Sequence, residues 1–189
     1  MALKLITAAS ALAVSLADAK LHLRVDASDE DTLITAMITA ATGMAQQKTN
    51  RAVMPQTWEL TLDAFPSAFE LTRLPAASVT SLKYVDENGT QQTLGSSLYT
   101  LDNASDYSPA YVVPAYATAW PASRGQANAV ALRYVAGYAD AASVPDDIKS
   151  WIKMQVTAMF ENRSATDSKQ SHALGFADRL LDPYVVYQL

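Results

Sequence analysis

Three segments of the chain carry apolar residues at intervals of three and four, the spacing that places side chains on one face of an α-helix. The predicted helices cover residues 15–24, 28–49 and 145–162. Each of the first two begins with a serine followed three residues later by an aspartate, a pair typical of a capping box that satisfies free backbone N–H groups. These pairs are Ser15 with Asp18 and Ser28 with Asp31.

The second and third helices are each predicted to bury one apolar stripe. In the second helix the stripe consists of Leu33, Ile34, Met37, Ile38, Ala41, Met44 and Ala45. In the third helix it consists of Ile148, Trp151, Ile152, Val156, Met159 and Phe160. Because such stripes must pack against neighbouring elements, we expect both helices to contribute to a hydrophobic core.

Between residues 56 and 138, apolar and polar residues alternate in short runs, which predicts β-strands. The clearest run is 57–63, and residues 69–73 are predicted to continue it. Asn88-Gly89 supplies the positive φ angles of a tight turn and predicts a hairpin. The strands form a block between helices, so the predicted fold class is α+β, with N-terminal helices and a C-terminal helix packed around a central antiparallel β region and extended terminal arms.

The predicted organisation is a single domain with a further segment at each end. Residues 1–14 show no clear periodicity and are predicted to be an N-terminal arm. Residues 15–163 are predicted to form one α+β domain, and residues 164–189 a polar linker followed by a C-terminal docking segment. No apolar run approaches the ~18–20 residues that a membrane-spanning helix requires, so no membrane partner is expected.

The composition is typical of a protein with a packed core and without a nucleic-acid-binding patch. Half of the residues (50%) are apolar and 17% are charged. The 14 basic residues do not cluster and are outnumbered by 19 acidic ones, giving a net charge of −5, whereas proteins that grip nucleic acid carry basic patches. The chain has no cysteine, which excludes disulfides, thiolate metal sites and cysteine nucleophiles.

Reaction chemistry has little support in the sequence. His22 and His172 are the only histidines, and neither stands at metal-ligand spacing from a second ligand type. The acidic runs Asp29–Asp31 and Asp146-Asp147 fall in the predicted first turns of helices, where carboxylates interact favourably with the helix dipole. We therefore predict no catalytic residue, no metal site and no cofactor.

Several blocks of sequence carry a more specific pattern. They are Ser15–Asp26, Asn50–Leu60, Leu74–Asp86, Val130–Tyr138, Val144–Ile148, Phe160–Arg163 and Leu180–Tyr184. In their order and spacing across residues 15–184, these blocks resemble the head–tail connector family of tailed bacteriophages, also described as adaptor or head completion proteins. The first 14 residues are less similar to that family.

The resemblance implies a non-enzymatic structural subunit of a tailed phage or phage-like virion. It implies a homo-oligomeric ring of twelve copies beneath the portal protein, which extends the DNA channel and joins the head to the neck or tail. Expected partners are the portal, a downstream neck, stopper or tail-completion protein, and double-stranded DNA that passes without sequence-specific binding. The expected location is the neck, at the head–tail interface, after assembly in the host cytoplasm.

The C-terminal segment is where the resemblance places contact with the portal, because this segment reaches the portal in related adaptors. Its apolar candidates lie around and beyond a proline: Leu180, Leu181, Tyr184, Val185, Val186, Tyr187 and Leu189. Short apolar tails of this kind can fold on docking to a partner. The alternative for the tail is a final strand that completes the chain's own sheet.

Two hypotheses from other functional classes stay open. Lys4, the apolar stretch 5–16 and Ala17-Asp18-Ala19 imitate a signal peptide, which together with the strands is consistent with a secreted bacterial β-rich binding domain. A hydrolase would rest on scattered serine and aspartate residues and on the two histidines, since catalytic triads assemble in space rather than along the sequence.

Overall fold

The computed structural model describes residues 1–105, 108–162 and 175–186. Its strands are β1 (Ala2–Thr7), β2 (Gln56–Leu62), β3 (Phe69–Leu71), β4 (Ala76–Val85), β5 (Gln91–Leu94), β6 (Tyr99–Asp102), β7 (Ala110–Pro114) and β8 (Val130–Ala136). Its helices are α1 (Leu16–Leu23), α2 (Asp31–Thr49), α3 (Asp146–Glu161) and α4 (Gly175–Arg179), with 3₁₀ turns at Ser96–Leu98 and Asp182–Tyr184. The described strands pair antiparallel, and β2 to β8 form a block between α2 and α3, so the α+β class is confirmed.

The chain divides into two compact units. The β unit contains residues 1–9 and 55–137, and the helical unit contains residues 10–54 together with the described residues from 138 to 186. The β unit therefore interrupts the helical unit along the sequence. The prediction of one domain over residues 15–163 did not anticipate this division, because hydrophobic periodicity identifies a buried face without identifying the element that covers it.

The predicted ends of α1 are confirmed, whereas the predicted start of α2 is wrong by three residues. The Ser15 hydroxyl accepts a hydrogen bond from the Asp18 amide at 3.0 Å, and Arg24 ends α1 in the left-handed conformation. At the start of α2, Glu30 occupies the capping position, but its side chain makes no capping hydrogen bond. The Asp31 carboxylate instead accepts a hydrogen bond from the Lys20 ammonium group at 2.6 Å, so the predicted capping box is replaced by an ion pair between helices.

The apolar stripe predicted for α2 is wider than the face that the structure buries. Ile34, Ile38, Ala41 and Ala45 are fully buried, and α2 packs against α1 and α3. Leu33 and Met44, in contrast, are 40% and 45% exposed, and Met37 is half-buried. Seven apolar positions cover more of the helix circumference than these neighbours cover. In α3, the predicted residues Ile148, Trp151, Ile152 and Val156 are buried, while Met159 and Phe160 are half-buried.

The β unit contains two sheets. The five-stranded sheet has the order β1-β2-β8-β4-β5, and the three-stranded sheet has the order β3-β7-β6. Leu132 at the centre of β8 faces Leu60 of β2 and Leu82 of β4, and all three side chains are buried. Residues 69–71 form β3 in the second sheet, so the prediction that they continue the strand at 57–63 is wrong; Pro66, between them, cannot donate a ladder hydrogen bond.

The predicted hairpin is confirmed between β4 and β5. Gly89 has a φ of 84°, a conformation that glycine adopts without steric cost, and its amide donates to the Asp86 carbonyl at 2.9 Å. The Asp86 carboxylate accepts hydrogen bonds from the Gln92 side chain and from the amides of Thr90 and Asn88. These hydrogen bonds hold the pKa of Asp86 below its usual range, and the bond from Gln92 has the largest effect.

The N-terminal residues, predicted to be an arm without periodic structure, contain a strand. β1 pairs antiparallel with β2 and forms one edge of the five-stranded sheet. Only Leu3 within β1 is half-buried, and Leu5 and Ile6 are 41% and 36% exposed. An edge strand held by backbone hydrogen bonds and exposed on both faces needs no alternation of apolar and polar residues, so its sequence gives no strand signal.

Candidate interaction surfaces

The residues considered for reaction chemistry do not converge in the structure. His22 is exposed on α1, and His172 lies outside the described residues. Asp146 and Asp147 are exposed in the first turn of α3, while Asp31 binds Lys20. Within the described parts of the chain, no three potential metal ligands come together, and no helix combines the length and apolarity needed to cross a bilayer.

The C-terminal segment packs against the end of α2. Asn50 ends that helix with a φ of 59°, and its side-chain amide donates to the Val186 carbonyl at 3.3 Å. The Val186 amide donates to the Thr49 carbonyl at 2.9 Å. The Arg51 Nε donates to the Tyr184 carbonyl at 2.5 Å. Three consecutive residues at the end of α2 therefore bind the backbone of the segment.

Arg51 is the charged side chain at the centre of this contact. It is only 1% exposed, and its guanidinium carbon lies 6.0 Å from the centre of the Tyr184 ring. Because a buried charge is costly unless it is hydrogen-bonded, the Tyr184 carbonyl is an important acceptor for it. No motif in the sequence indicates this role for Arg51. The available signal was a lone arginine beside the apolar run Ala52–Met54, all of which is buried.

A second set of polar contacts attaches the end of the chain to α2 and α3. The Asp178 carboxylate of α4 lies 3.1 Å from the Lys48 ammonium group and accepts a hydrogen bond from the Trp151 indole at 3.2 Å. These two contacts hold the pKa of Asp178 below its usual range, and the contact with Lys48 has the larger effect. The Tyr184 hydroxyl lies 3.1 Å from the Asp147 carboxylate, which adds a contact to the first turn of α3.

The residues predicted to dock on the portal differ in exposure. Leu181 and Val186 are each 2% exposed, so they belong to the core of the helical unit and do not form a free surface. Leu180, Tyr184 and Val185 are half-buried, and Tyr187 and Leu189 lie outside the described residues. Residues 184–186 join no strand, so within the described residues the alternative of a final strand is not seen.

A known protein family matches the part of the chain that contains the first two helices and part of the β unit. Residues 13–88 match the family described as phage gp6-like head-tail connector proteins. The resemblance to phage head–tail connector proteins is confirmed. The matched region begins just before α1 and ends at Asn88 in the hairpin turn, so it contains α1, α2 and the strands β2 to β4. No curated protein matches the sequence.

Solved structures resemble this chain over its whole length. A chain from the virion of a native gene transfer agent particle aligns with a TM-score of 0.81 at 22% identity. Chains from the neck of an empty particle, computed with C6 symmetry, and of a native particle, computed with C12 symmetry, align with TM-scores of 0.80 and 0.76 at 22% and 20% identity. Each alignment covers 100% of this chain and 97% of the other, and at these identities it establishes the fold.

Proposed function

We propose that the chain is a structural head–tail connector, or adaptor, subunit of a tailed phage or phage-like particle. In this proposal, copies of the chain form a ring of twelve beneath the portal, extend the DNA channel and join the head to the neck or tail. The observation that carries the proposal is the match of residues 13–88 to the connector family. The similarity of fold to chains in gene transfer agent necks supports a location in the virion neck.

The net negative charge of the chain is compatible with the wall of a channel through which DNA passes. A net charge of −5 gives phosphate groups little to bind, because fixed cations supply most of the affinity for nucleic acid. The proposed contact with double-stranded DNA is therefore passage without sequence-specific binding. The proposed role requires no catalysis.

The portal contact of the proposed function uses the outer side of the C-terminal segment. Leu181 and Val186 hold the segment in place from inside the helical unit. The half-buried Leu180, Tyr184 and Val185 are the described residues left to meet the portal, with Tyr187 and Leu189 following them in sequence. This arrangement refines the proposed docking segment: some of its apolar residues anchor it, and the others are left for the partner.

The signal-like N-terminus fits the connector proposal better than secretion. Residues 2–7 pair with β2, and Ala13, Val14 and Ala19 are each 3% exposed or less. Cleavage after Ala19 would therefore remove an edge strand, three buried side chains and half of α1. The secreted binding domain and the hydrolase both have less support, since neither accounts for the connector match.

Co-expression with the portal protein of the same genome tests the proposal. The chain should purify with the portal and appear as an added ring at one end of it in negative-stain images. Leu180→Glu and Val185→Glu should weaken the complex, whereas Ala158→Glu, at an exposed position of α3, should not. Failure of the wild-type chain to bind any portal, with the protein folded, would contradict the proposed function.

A further inference from the structure

Helix α2 has a solvent-facing side that carries no charge. No residue from Thr32 to Gln47 is acidic or basic, a length of about 24 Å of helix. Along this side runs a second apolar stripe, which we call the outer stripe: Leu33, Met37, Ala40 and Met44. Its spacing of three and four places these residues on one line, beside the buried line of Ile34, Ile38, Ala41 and Ala45.

The exposure of the outer stripe is unusual for a helix that faces water alone. Leu33 and Met44 are 40% and 45% exposed, Ala40 is exposed and Met37 is half-buried. A surface helix of a monomeric protein carries charged or polar residues opposite its core-facing side. An uncharged apolar strip of this length instead suggests a surface that another molecule covers.

The threonines on the neighbouring part of α2 are already hydrogen-bonded inside the helix. The hydroxyl of Thr35 donates to the Asp31 carbonyl at 2.7 Å, that of Thr39 to the Thr35 carbonyl at 3.0 Å, and that of Thr42 to the Ile38 carbonyl at 2.7 Å. Burying a hydroxyl that already has a partner avoids most of the desolvation penalty. This part of α2 can therefore be covered by a protein without leaving these hydroxyl groups unsatisfied.

The charges of the chain indicate what covers the outer stripe. Nucleic acid would need cations, and residues 32–47 offer none. Two copies of a chain with a net charge of −5 repel one another, so they associate most favourably through surfaces that carry no charge. In a cyclic ring, moreover, each copy must present two different surfaces to its two neighbours. An uncharged helix side is a suitable surface for one of these contacts.

We propose that the outer stripe of α2 is a contact surface between neighbouring copies of this chain. The proposal rests on the proposed ring and adds the residues that form one side of its repeating contact. Leu33 and Met44, near the two ends of the helix, and Ala40 between them pack against the adjacent copy. The small side chain of Ala40 allows the neighbour to approach the helix closely.

The absence of cysteine makes a direct test possible. Ala40→Cys introduces a single thiol, to which a benzophenone maleimide is attached. The labelled chain is irradiated both alone at high concentration and in its complex with the portal. The expected product is a covalent pair of this chain in at least one of the two samples, identified by its mass. Irradiation products that contain only the portal, or no product, would overturn the proposal.

Ala40→Glu is the matched functional variant, with Ala158→Glu as its control, since both alanines are exposed on helices of the helical unit. Sedimentation velocity should show association of the Ala40→Glu chain weakened by on the order of a hundredfold, because an unpaired charge would be buried in the contact. The control should associate as the wild type does, and both variants should keep the wild-type melting temperature. Equal association of Ala40→Glu and wild type would overturn the proposal.

The two proposals fail in different ways. If the wild-type chain forms a ring on the portal but the label at residue 40 joins no second copy, the connector function stands and the outer stripe is not the contact. If the wild-type chain neither associates nor binds a portal, the connector function itself is contradicted.

Discussion

The two ends of the described chain were both predicted as extended arms, yet the structure holds them by different means. The N-terminal strand β1 lies at a sheet edge, where its backbone pairs with β2 and its side chains remain largely exposed. The C-terminal segment buries Leu181 and Val186 and binds Arg51 through a backbone carbonyl. A chain end that is held only by backbone hydrogen bonds at a sheet edge can be removed at little cost in stability. A chain end with buried side chains is part of the hydrophobic core.

Removal of residues 181–189 should have the largest effect. The deletion exposes the site of two buried aliphatic side chains and takes away the carbonyl that accepts the Arg51 hydrogen bond. We expect a loss of about 5 kcal/mol in the free energy of unfolding, close to the whole stability of many domains. Urea denaturation followed by circular dichroism measures it. An unchanged midpoint would show that the C-terminal segment is as dispensable as an arm.

Trp151→Ala should have the next largest effect. Trp151 is 1% exposed in α3, and its indole also donates to Asp178, so the substitution both empties a core site and weakens the attachment of α4. We expect a loss of about 3–5 kcal/mol. Phe176→Ala is the control, because Phe176 is 59% exposed and should leave the denaturation midpoint unchanged. A loss below about 1 kcal/mol for Trp151→Ala would contradict this packing.

Deletion of residues 1–7 should have a small effect on stability. The hydrogen bonds lost with β1 are largely offset by the conformational entropy that the removed residues regain, so we expect a change of about 1 kcal/mol or less. Hydrogen exchange should speed up at β2 amides on the side of β1 and remain slow in β8, where β4 and β2 flank the strand. A deletion that abolished cooperative unfolding would place β1 in the core.

Asp178→Asn should have the smallest effect, confined to the acid range. Contacts with Lys48 and Trp151 lower the folded-state pKa of Asp178 from about 3.8, so its carboxylate stabilises the fold above that value. This contribution is lost as the pH falls through the folded-state pKa. Melting temperatures of wild type and variant should therefore differ at pH 7 and converge towards pH ~2. A constant difference over this range would contradict the assignment.

The elements predicted correctly from sequence are those with local signals. Ser15 caps α1, α3 begins within one residue of its predicted start, and Asn88-Gly89 forms the hairpin turn, because each signal depends on residues a few positions apart. The missed features depend on distant residues. The Arg51 bond joins positions separated by 133 residues, and β3 pairs with β7 across the intervening strands.

The division of α2 into a buried and an exposed apolar stripe was also not predictable from periodicity alone. Ile34 and Leu33 are adjacent apolar residues in one helix, and the sequence does not show that α1 and α3 cover only the first of them. When the apolar surface of a helix extends beyond the area that its neighbours in the same chain cover, the uncovered part is a candidate for an intermolecular contact. It becomes visible only when exposure is known residue by residue.

The number of copies bound to one portal assembly is the most direct test of the connector account. Native mass spectrometry of the purified complex gives this number from the mass added to the portal alone. The account predicts a closed ring of twelve copies, with no smaller stable assembly on the portal. A complex that carries one or two copies, or a chain that stays monomeric beside the portal, would contradict it.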